Sequence, residues 1–268
     1  MLYNDIFGRY EFKFSLSYDD MDRMIDDLIP YVKKDEYVNE YGIRTISSLY
    51  LDNSQKECYY KIVNNDCFRQ EVLLKVYGRE NTADSDALLV LKNELDGCIR
   101  KREVSMKLAD IVAFINECIE KGADASIDYK CSSKQILKEI RHFIQLKKLT
   151  PVSIVSYERL PLISTEDSSL KIMFDFNVRS RSDDLDLTHG TDGERRIPKQ
   201  VAVLEIKSGK ALPLWLIKIL DKYKCRSQAI SKYCLHYKPV ESISEIIIDE
   251  NKGDFNNVNS VYRKLTIV

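Results

Sequence analysis

The sequence has few of the residues from which nucleotide-binding loops and metal centres are usually built. It contains only nine glycines in 268 residues, and no glycine-rich loop of the Walker or dinucleotide-binding kind occurs. Its three histidines, His142, His189 and His236, share no common spacing, and none of its seven cysteines forms a Cys-x-x-Cys pair. These absences exclude the common phosphate-loop folds and give no support for a zinc site or a disulfide framework.

Long apolar runs and an excess of charge of either sign are absent as well. The most apolar stretch, 211–220, is interrupted by Pro213 and Lys218 and is too short to cross a bilayer. The formal net charge is only -1, so the sequence predicts no broad basic surface for nucleic acid. An odd number of cysteines and the lack of a signal peptide favour a soluble cytoplasmic protein.

What the sequence does contain is a repeated alternation of apolar and polar residues, which is typical of half-buried strands. The segment 9–16 alternates in this way, and Ser17 can cap the helix that follows. A turn at Asp96 and Gly97 joins two further strands into a hairpin. The hairpin strands are 89–95 and 99–104, and further strands are predicted near 43–52, 69–77, 154–159, 170–176 and 204–207. Helical spacing of apolar residues is found near 54–63, 107–121, 132–147 and 213–223.

The polar faces of these strands carry both basic and acidic side chains, whereas the apolar faces are continuous enough to be covered by helices. For any one strand, the simplest interpretation is a sheet face in contact with water. If about eight strands instead close with helices outside, the charged faces point inward and line a lumen for one small ligand. We therefore predict an α+β fold, a closed antiparallel eight-stranded β tunnel with helices packed outside.

The charge inside such a tunnel predicts its ligand. Two cations about 4 Å apart repel each other by roughly 4 kcal/mol at an effective dielectric constant near 20. A chain of phosphates relieves that repulsion, because each unit carries negative charge and oxygens that accept hydrogen bonds from Lys and Arg. The acidic residues can then serve as ligands of a hard divalent cation that bridges protein and phosphate.

The sequence predicts a simple domain organisation. We expect one tunnel domain over 1–240 and a C-terminal tail over 241–268 that can dock on the tunnel. Within the domain, the polar segment 179–199 contains Gly190 and Gly193 and is predicted to be a long exposed or mobile loop.

Nine short segments, taken in order, carry a resemblance to a known family. They are RYEFKF at 9–14, SLYLD at 48–52, YG at 77–78, KR at 101–102, YER at 157–159, FD at 174–175, LEIK at 204–207, LPLW at 212–215 and ISKY at 230–233. In this order and spacing, over about residues 9–237, the chain resembles the VTC (vacuolar transporter chaperone) domain of polyphosphate polymerases. That domain belongs to the triphosphate tunnel metalloenzyme superfamily.

The resemblance implies a set of tunnel residues that bind phosphate. It implies catalytic roles for Lys13, Lys75, Lys92, Arg159 and Lys232, and phosphate-binding roles for Lys101, Tyr157, Lys171 and Ser231. It also implies that Glu205 holds Mn²⁺ or Mg²⁺, with ATP, triphosphate or polyphosphate as the ligand. A membrane-protein partner is a further possibility that the resemblance allows.

Four positions depart from the family pattern. Leu73 stands where the first Arg of an Arg-x-Arg pair is usual, and Val90 stands where a Glu is usual. Glu103 replaces a basic residue, and Lys171 replaces an Arg. Lys cannot reproduce the bidentate fork of Arg. Loss of one phosphate contact at a reaction centre costs roughly 2–4 kcal/mol of transition-state stabilisation.

Several functions therefore remain open from the sequence. The leading hypothesis is a polyphosphate polymerase that transfers the γ-phosphoryl group of ATP to a polyphosphate chain with a divalent metal. A hydrolase of inorganic triphosphate or nucleoside triphosphates would use the same tunnel with water as the acceptor. Leu73, Val90 and Glu103 instead favour a weakened or inactive module that only binds polyphosphate or triphosphate. A protein-interaction scaffold is supported by nothing beyond generic strands.

Overall fold

The computed structural model describes residues 8–35, 38 and 42–239, and its regular elements follow the predicted alternation closely. The strands are β1 (Arg9–Ser17), β2 (Val32–Lys34), β3 (Arg44–Asp52), β4 (Phe68–Tyr77), β5 (Asp86–Leu95), β6 (Cys98–Lys107), β7 (Thr150–Ser164), β8 (Lys171–Arg181), β9 (Glu194–Arg195) and β10 (Val201–Ser208). The helices are α1 (Tyr18–Leu28), α2 (Glu57–Val63), α3 (Leu108–Lys121), α4 (Lys134–Lys147), α5 (Leu214–Lys222) and α6 (Lys232–Tyr237), with short 3₁₀ turns at Ile29–Tyr31 and Gly122–Asp124.

Eight of the ten strands close into a ring. Hydrogen bonds link them in the order β7, β3, β4, β5, β6, β1, β10 and β8, and β8 pairs with β7 again. Each of these pairings is antiparallel, whereas the short strands β2 and β9 are additions at β7 and β8. The prediction of a closed antiparallel β tunnel with helices outside is confirmed.

The shortest strand pairing in the ring is the one between β1 and β6. Only Arg9 and Tyr10 of β1 are paired with β6, opposite Ile99 and Cys98. Farther along β1, the backbone N–H of Gln228 donates to the carbonyl oxygen of Lys13 at 2.8 Å, so the segment that leads into α6 runs beside β1 there. The side chain of Lys13 also donates to the carbonyl oxygen of Ile230 at 2.9 Å.

The hydrophobic core lies outside the ring, between the apolar faces of the strands and the helices. One cluster packs β3–β6 and part of β7 against the helices α2, α3, α4 and α6. The other packs β1, β8 and β10 against α1 and α5. Because side chains alternate along a strand, burial of the apolar residues under helices turns the charged residues toward the interior of the ring. No helix in the described ranges combines the length and apolar character needed to span a bilayer.

The polar segment 179–199 is anchored to the tunnel, and the prediction of an exposed or mobile loop is wrong for much of it. Arg181 is only 9% exposed and donates to four backbone carbonyl oxygens between residues 184 and 192. Leu187 and Ile197 are buried in the core. The guanidinium of Arg181 has five N–H donors and satisfies carbonyl groups that would otherwise need water. The composition of the segment does not predict these hydrogen bonds. The predicted tail at 241–268 lies outside the described residues.

A buried carboxylate joins the end of β3 to two helices. Asp52 is fully buried and accepts hydrogen bonds from the backbone N–H groups of Asn53, Cys58 and Tyr59. It also accepts a hydrogen bond from the hydroxyl of Tyr233 at 2.7 Å, which fixes α6 over this end of the ring. Asp52 therefore positions the helix from which Lys232 reaches the tunnel.

Replacement of Asp52 by Ala is expected to lower the free energy of unfolding by about 3 kcal/mol, because several buried donors lose a charged acceptor together. Chemical denaturation measures the change. The matched control is Asp86→Ala, which removes an exposed carboxylate paired with Lys107 at 2.7 Å and should cost less than about 1 kcal/mol. Equal losses in the two variants would show that Asp52 does not organise this end of the ring.

Candidate functional site

A polar cavity of about 60 Å³ lies inside the ring, and we call it the tunnel cavity. Its lining residues come from seven of the strands and from the start of α6. They are Glu11, Lys13, Tyr50, Glu71, Leu73, Lys75, Val90, Lys92, Lys101, Tyr157, Arg159, Glu205, Lys207, Ser231 and Lys232. A volume of this size holds only a few water molecules, so the interior is largely filled by its own side chains.

The tunnel cavity carries an excess of positive charge. Seven cationic side chains and three carboxylates line it, which leaves an excess of four positive charges when all are ionised. The strand registers place a carboxylate directly opposite a lysine at three positions, and directly opposed residues point to the same side of a sheet. These pairs are Lys13–Glu205, Glu11–Lys207 and Glu71–Lys92.

Glu205 is the centre of the largest charge cluster. Its carboxylate lies 2.6 Å from Lys207 Nζ, 3.0 Å from Lys232 Nζ and 3.2 Å from Arg159 Nη2. Asp175 on β8 is fully buried, forms a bidentate pair with Arg159 at 2.5 and 2.7 Å, and also pairs with Lys232. Burial raises the pKa of Glu205, but the attraction of Lys207, Lys232 and Arg159 outweighs it and holds that pKa well below its usual range.

Glu11 is the second centre. It lies 3.2 Å from Lys101, 3.6 Å from Lys207 and 4.0 Å from Lys13. Burial opposes ionisation of Glu11, yet the nearby lysines hold its pKa well below the usual range. Because Lys207 contacts both carboxylates, the two clusters form one continuous network across β1 and β10. The tunnel cations are thus largely neutralised from within.

Lys75 is the exception among these cations. It has no ion pair or hydrogen bond within the described part of the chain, whereas Lys92 at the other end of the same wall pairs with Glu71 at 2.7 Å. Burial, followed by repulsion from Lys101 and Arg159, lowers the pKa of Lys75 to about 7. Among the described residues, Lys75 is therefore the lining cation without an ion-pair partner.

Two apolar residues, Leu73 and Val90, separate Lys75 from the other cations on this wall, and we call this pair the apolar step. Leu73 and Val90 lie directly opposite each other on β4 and β5, and both line the tunnel cavity. Leu88 lies opposite Lys75. Glu103 shares the face of Val90 on the neighbouring strand but is not among the cavity-lining residues. The departures at 73 and 90 thus fall inside the tunnel.

The carboxylates fit a divalent metal only when a ligand supplies most of the oxygens. Glu205 and Asp175 share Arg159 and Lys232, so their carboxylates lie on one small part of the wall. Over the described residues, no group of three or more His, Cys, Asp and Glu side chains is placed to hold a metal. Mg²⁺ and similar hard ions are commonly held by one or two carboxylates together with substrate phosphates. The donor set suits that shared mode of binding.

The structure brings nine of the ten predicted site residues to the tunnel cavity. They are Lys13, Lys75, Lys92, Lys101, Tyr157, Arg159, Glu205, Ser231 and Lys232. Lys171 is not among the lining residues, although it lies on the tunnel face at the start of β8, opposite Lys207. Sequence reasoning gave no role to Lys207, Tyr50 or Asp175, although Lys207 lies two residues from Glu205 and so shares its strand face.

Comparison with known proteins gives a family match and distant structural likenesses. The model of the VTC domain matches residues 8–240. No significant match was found among curated proteins. A solved structure of a candidate adenylate cyclase from Bacillus halodurans is 12% identical, with a TM-score of 0.46, 84% of this chain and 95% of that chain being covered. The PH1819 protein of Pyrococcus horikoshii is 12% identical, with a TM-score of 0.42 and coverages of 85% and 98%.

Replacement of Lys75 by Met is expected to stabilise the protein, and the gain should depend on pH. Below about pH 7 the wild-type ammonium is charged in the folded protein without a partner, so the penalty is complete. Between about 7 and the ordinary lysine value of 10.5, the unfolded chain binds a proton that the folded protein does not, so wild-type stability rises with pH. The advantage of Lys75→Met should therefore shrink as the pH rises.

Denaturation at pH 6 and pH 9 measures this difference. The matched control is Lys218→Met on α5, where the lysine is exposed and outside the tunnel cavity, and little change is expected at either pH. A gain for Lys75→Met that is the same at both pH values would mean that Lys75 titrates normally.

Proposed function

Because the chain belongs to the VTC domain family, we propose that its tunnel binds a linear polyphosphate or triphosphate and transfers the γ-phosphoryl group of ATP to a polyphosphate chain. The observation that carries this proposal is the cation excess in the tunnel cavity, seven basic side chains against three carboxylates. These cations come from opposite walls of the ring, so they surround a ligand rather than face it from one side. A linear polyanion matches such an enclosure, because every unit along its length carries charge.

Ligand binding in this tunnel is an exchange of partners. A phosphate chain that enters the tunnel cavity meets cations that are already held by carboxylates. Phosphate oxygens that take over Lys207, Lys232 and Arg159 replace the carboxylates of Glu205 and Asp175 as acceptors. Glu205, no longer paired, would then be the residue that holds Mn²⁺ or Mg²⁺ jointly with the phosphates. The metal, when bound, neutralises charge on the transferring group.

The remaining predicted residues have positioning roles in this proposal. Lys13, Lys92 and Lys101 hold the chain from the β1, β5 and β6 walls. The hydroxyls of Tyr157 and Ser231 donate hydrogen bonds beside Arg159 and Lys232. Lys171, at the start of β8, contacts the ligand beyond the tunnel cavity. Catalysis then comes from alignment and electrostatic stabilisation, and no covalent nucleophile is needed.

One observation favours a second candidate, a tunnel that binds phosphate chains without turning them over. Leu73 and Val90 give the β4–β5 wall an apolar step between Lys75 and Lys92. A phosphoryl group that lies against this step receives no hydrogen bond from it. If the transferring group lies there, the missing stabilisation slows the reaction by roughly two to three powers of ten.

The purified protein, incubated with ATP and Mn²⁺, is expected to form polyphosphate and an equal amount of ADP. Lys232→Ala and Glu205→Gln should each abolish product by removing a phosphate contact and a metal ligand. The matched control Lys218→Ala removes a lysine outside the tunnel cavity and should leave product unchanged. Polyphosphate gels and ADP assays measure the outcome, and thermal melts confirm folding.

Other results of this assay would identify a different function or overturn the site assignment. Free phosphate without polymer would identify a hydrolase with water as the acceptor. No product, together with micromolar binding of tripolyphosphate, would identify the binding-only candidate. Unchanged activity in both tunnel variants would overturn the assignment of Glu205 and Lys232.

The apolar step can be tested by introducing one cation into it. In Leu73→Arg the new guanidinium lies opposite Val90, so the facing residue offers no carboxylate that the ligand would have to displace. We expect about tenfold tighter binding of tripolyphosphate, since one charge-assisted hydrogen bond contributes roughly 1.5 kcal/mol. Isothermal titration calorimetry measures the affinity, with Leu73→Met as the apolar control. No gain over that control would show that the step does not limit binding.

A further inference from the structure

A buried hydroxyl on the tunnel face of β3, just outside the lining of the tunnel cavity, lacks a hydrogen-bond partner among the described residues. Ser48 on β3 is 0% exposed, and its Oγ atom has no acceptor or donor within the described residues. Buried polar atoms without a partner are rare in folded proteins, because each costs the free energy of its lost hydration. Ser48 therefore lacks, among the described residues, the partner that a buried hydroxyl normally has.

The strand register shows that Ser48 belongs to the tunnel face. It lies directly opposite Lys75 on β4, and Tyr50 is two residues farther along the same strand. Both Lys75 and Tyr50 line the tunnel cavity, so the alternation of β3 directs Ser48 to the same side. The preceding residue, Ser47, points to the opposite side and is satisfied there by Ser156 Oγ at 2.8 Å.

Lys75 is the second unsatisfied group at this position. Every other lysine or arginine that lines the tunnel cavity has a carboxylate partner among the described residues, and Lys75 has none. Its nearest neighbours across the sheet are Ser48 on one side and Leu88 on the other. The hydroxyl and the ammonium thus belong to directly opposed residues, both can donate, and neither has an acceptor among the described residues.

We propose that Ser48 and Lys75 form one anion subsite, in which a single phosphoryl group of the tunnel ligand accepts hydrogen bonds from Ser48 Oγ and Lys75 Nζ. The inference rests on the proposed function, that the tunnel takes a phosphate chain. A phosphoryl group fits because its oxygens accept hydrogen bonds and carry the charge that Lys75 lacks opposite it. The short serine side chain also lets the phosphorus approach the wall more closely than a longer residue would.

This subsite differs energetically from the cluster around Glu205. Phosphate reaches Lys207, Lys232 or Arg159 only when an existing ion pair with Glu205 or Asp175 is exchanged. At Ser48 and Lys75 no internal pair is lost. A second orphan hydroxyl, that of Ser153, lies opposite Tyr50 and not opposite a cation, so it lacks the charge that makes an anion subsite. The first phosphoryl group to bind should therefore be held at Ser48 and Lys75.

The test is Ser48→Ala in the full chain, with two measurements. Without ligand, the variant should be at least as stable as the wild type, because a hydroxyl without a partner has been removed. Its affinity for tripolyphosphate, measured by calorimetry at fixed ionic strength, should fall about five- to tenfold. A merely structural hydroxyl predicts a less stable variant with unchanged affinity for tripolyphosphate.

The matched control is Ser47→Ala, the adjacent buried serine on the other face of β3. It loses its bond to Ser156 and should be less stable, with unchanged affinity for tripolyphosphate. Lys75→Met should weaken binding as well, and the double variant with Ser48→Ala should lose less than the product of the two single effects, because the two residues share one phosphoryl group.

The outcomes separate this proposal from the proposed function. If the wild type binds tripolyphosphate and Ser48→Ala binds it equally well, the subsite is overturned while the tunnel function stands. If Ser48→Ala is clearly destabilised, the hydroxyl has an internal partner and the subsite is overturned again. If the wild type binds neither tripolyphosphate nor longer polyphosphate, the proposed function fails and the subsite with it.

Discussion

The pairing of Glu205 with Lys207, Lys232 and Arg159 is the interaction on which the rest of the tunnel depends. Taking several cations out of water costs several kcal/mol each, and an unpaired buried charge is rarely tolerated. The network around Glu205 and Glu11 removes most of this cost, and it does so across β1, β7, β10 and the start of α6. The same ion pairs therefore hold the ring closed and store a set of cations for an anionic ligand.

The strands close with their charged faces inward, whereas most closed β proteins have an apolar interior. Burial of the outward apolar faces therefore depends on the helices. The apolar faces of the strands point outward, so they are shielded from water by α1 to α6 and by connecting segments such as 179–199. α6 has a double role, since Tyr233 stacks on Tyr50 at 5.0 Å and hydrogen-bonds Asp52 while Lys232 enters the tunnel. A change at Asp52, which does not itself line the cavity, therefore also affects the position of a tunnel cation.

The sequence was sufficient for the strands, their inward faces and most of the site. The alternation of residue types predicts that Lys13 and Glu205 lie on charged strand faces. It does not predict that they lie opposite each other, because the closure of the ring determines the register of the strands. Asp175 was missed as a partner of Arg159 for this reason. The short strands β2 and β9 and the six-residue α6 are too short to give a periodic signal. The anchored segment 179–199 depends on one buried guanidinium, which composition represents only as another basic residue.

The uneven neutralisation of the cations has a consequence for ligand length. Residues two apart on one strand face are separated by about 7 Å, so Lys75 and the Glu71–Lys92 pair are about 13 Å apart along β4, with the apolar step at Leu73 between them. A single phosphate cannot contact both ends of that wall. A chain can bind first where no ion pair must be broken and then extend past the step to cations whose carboxylates it displaces. Each later contact requires the exchange of an internal ion pair, so only a ligand with several linked charges gains enough from the whole tunnel to open it.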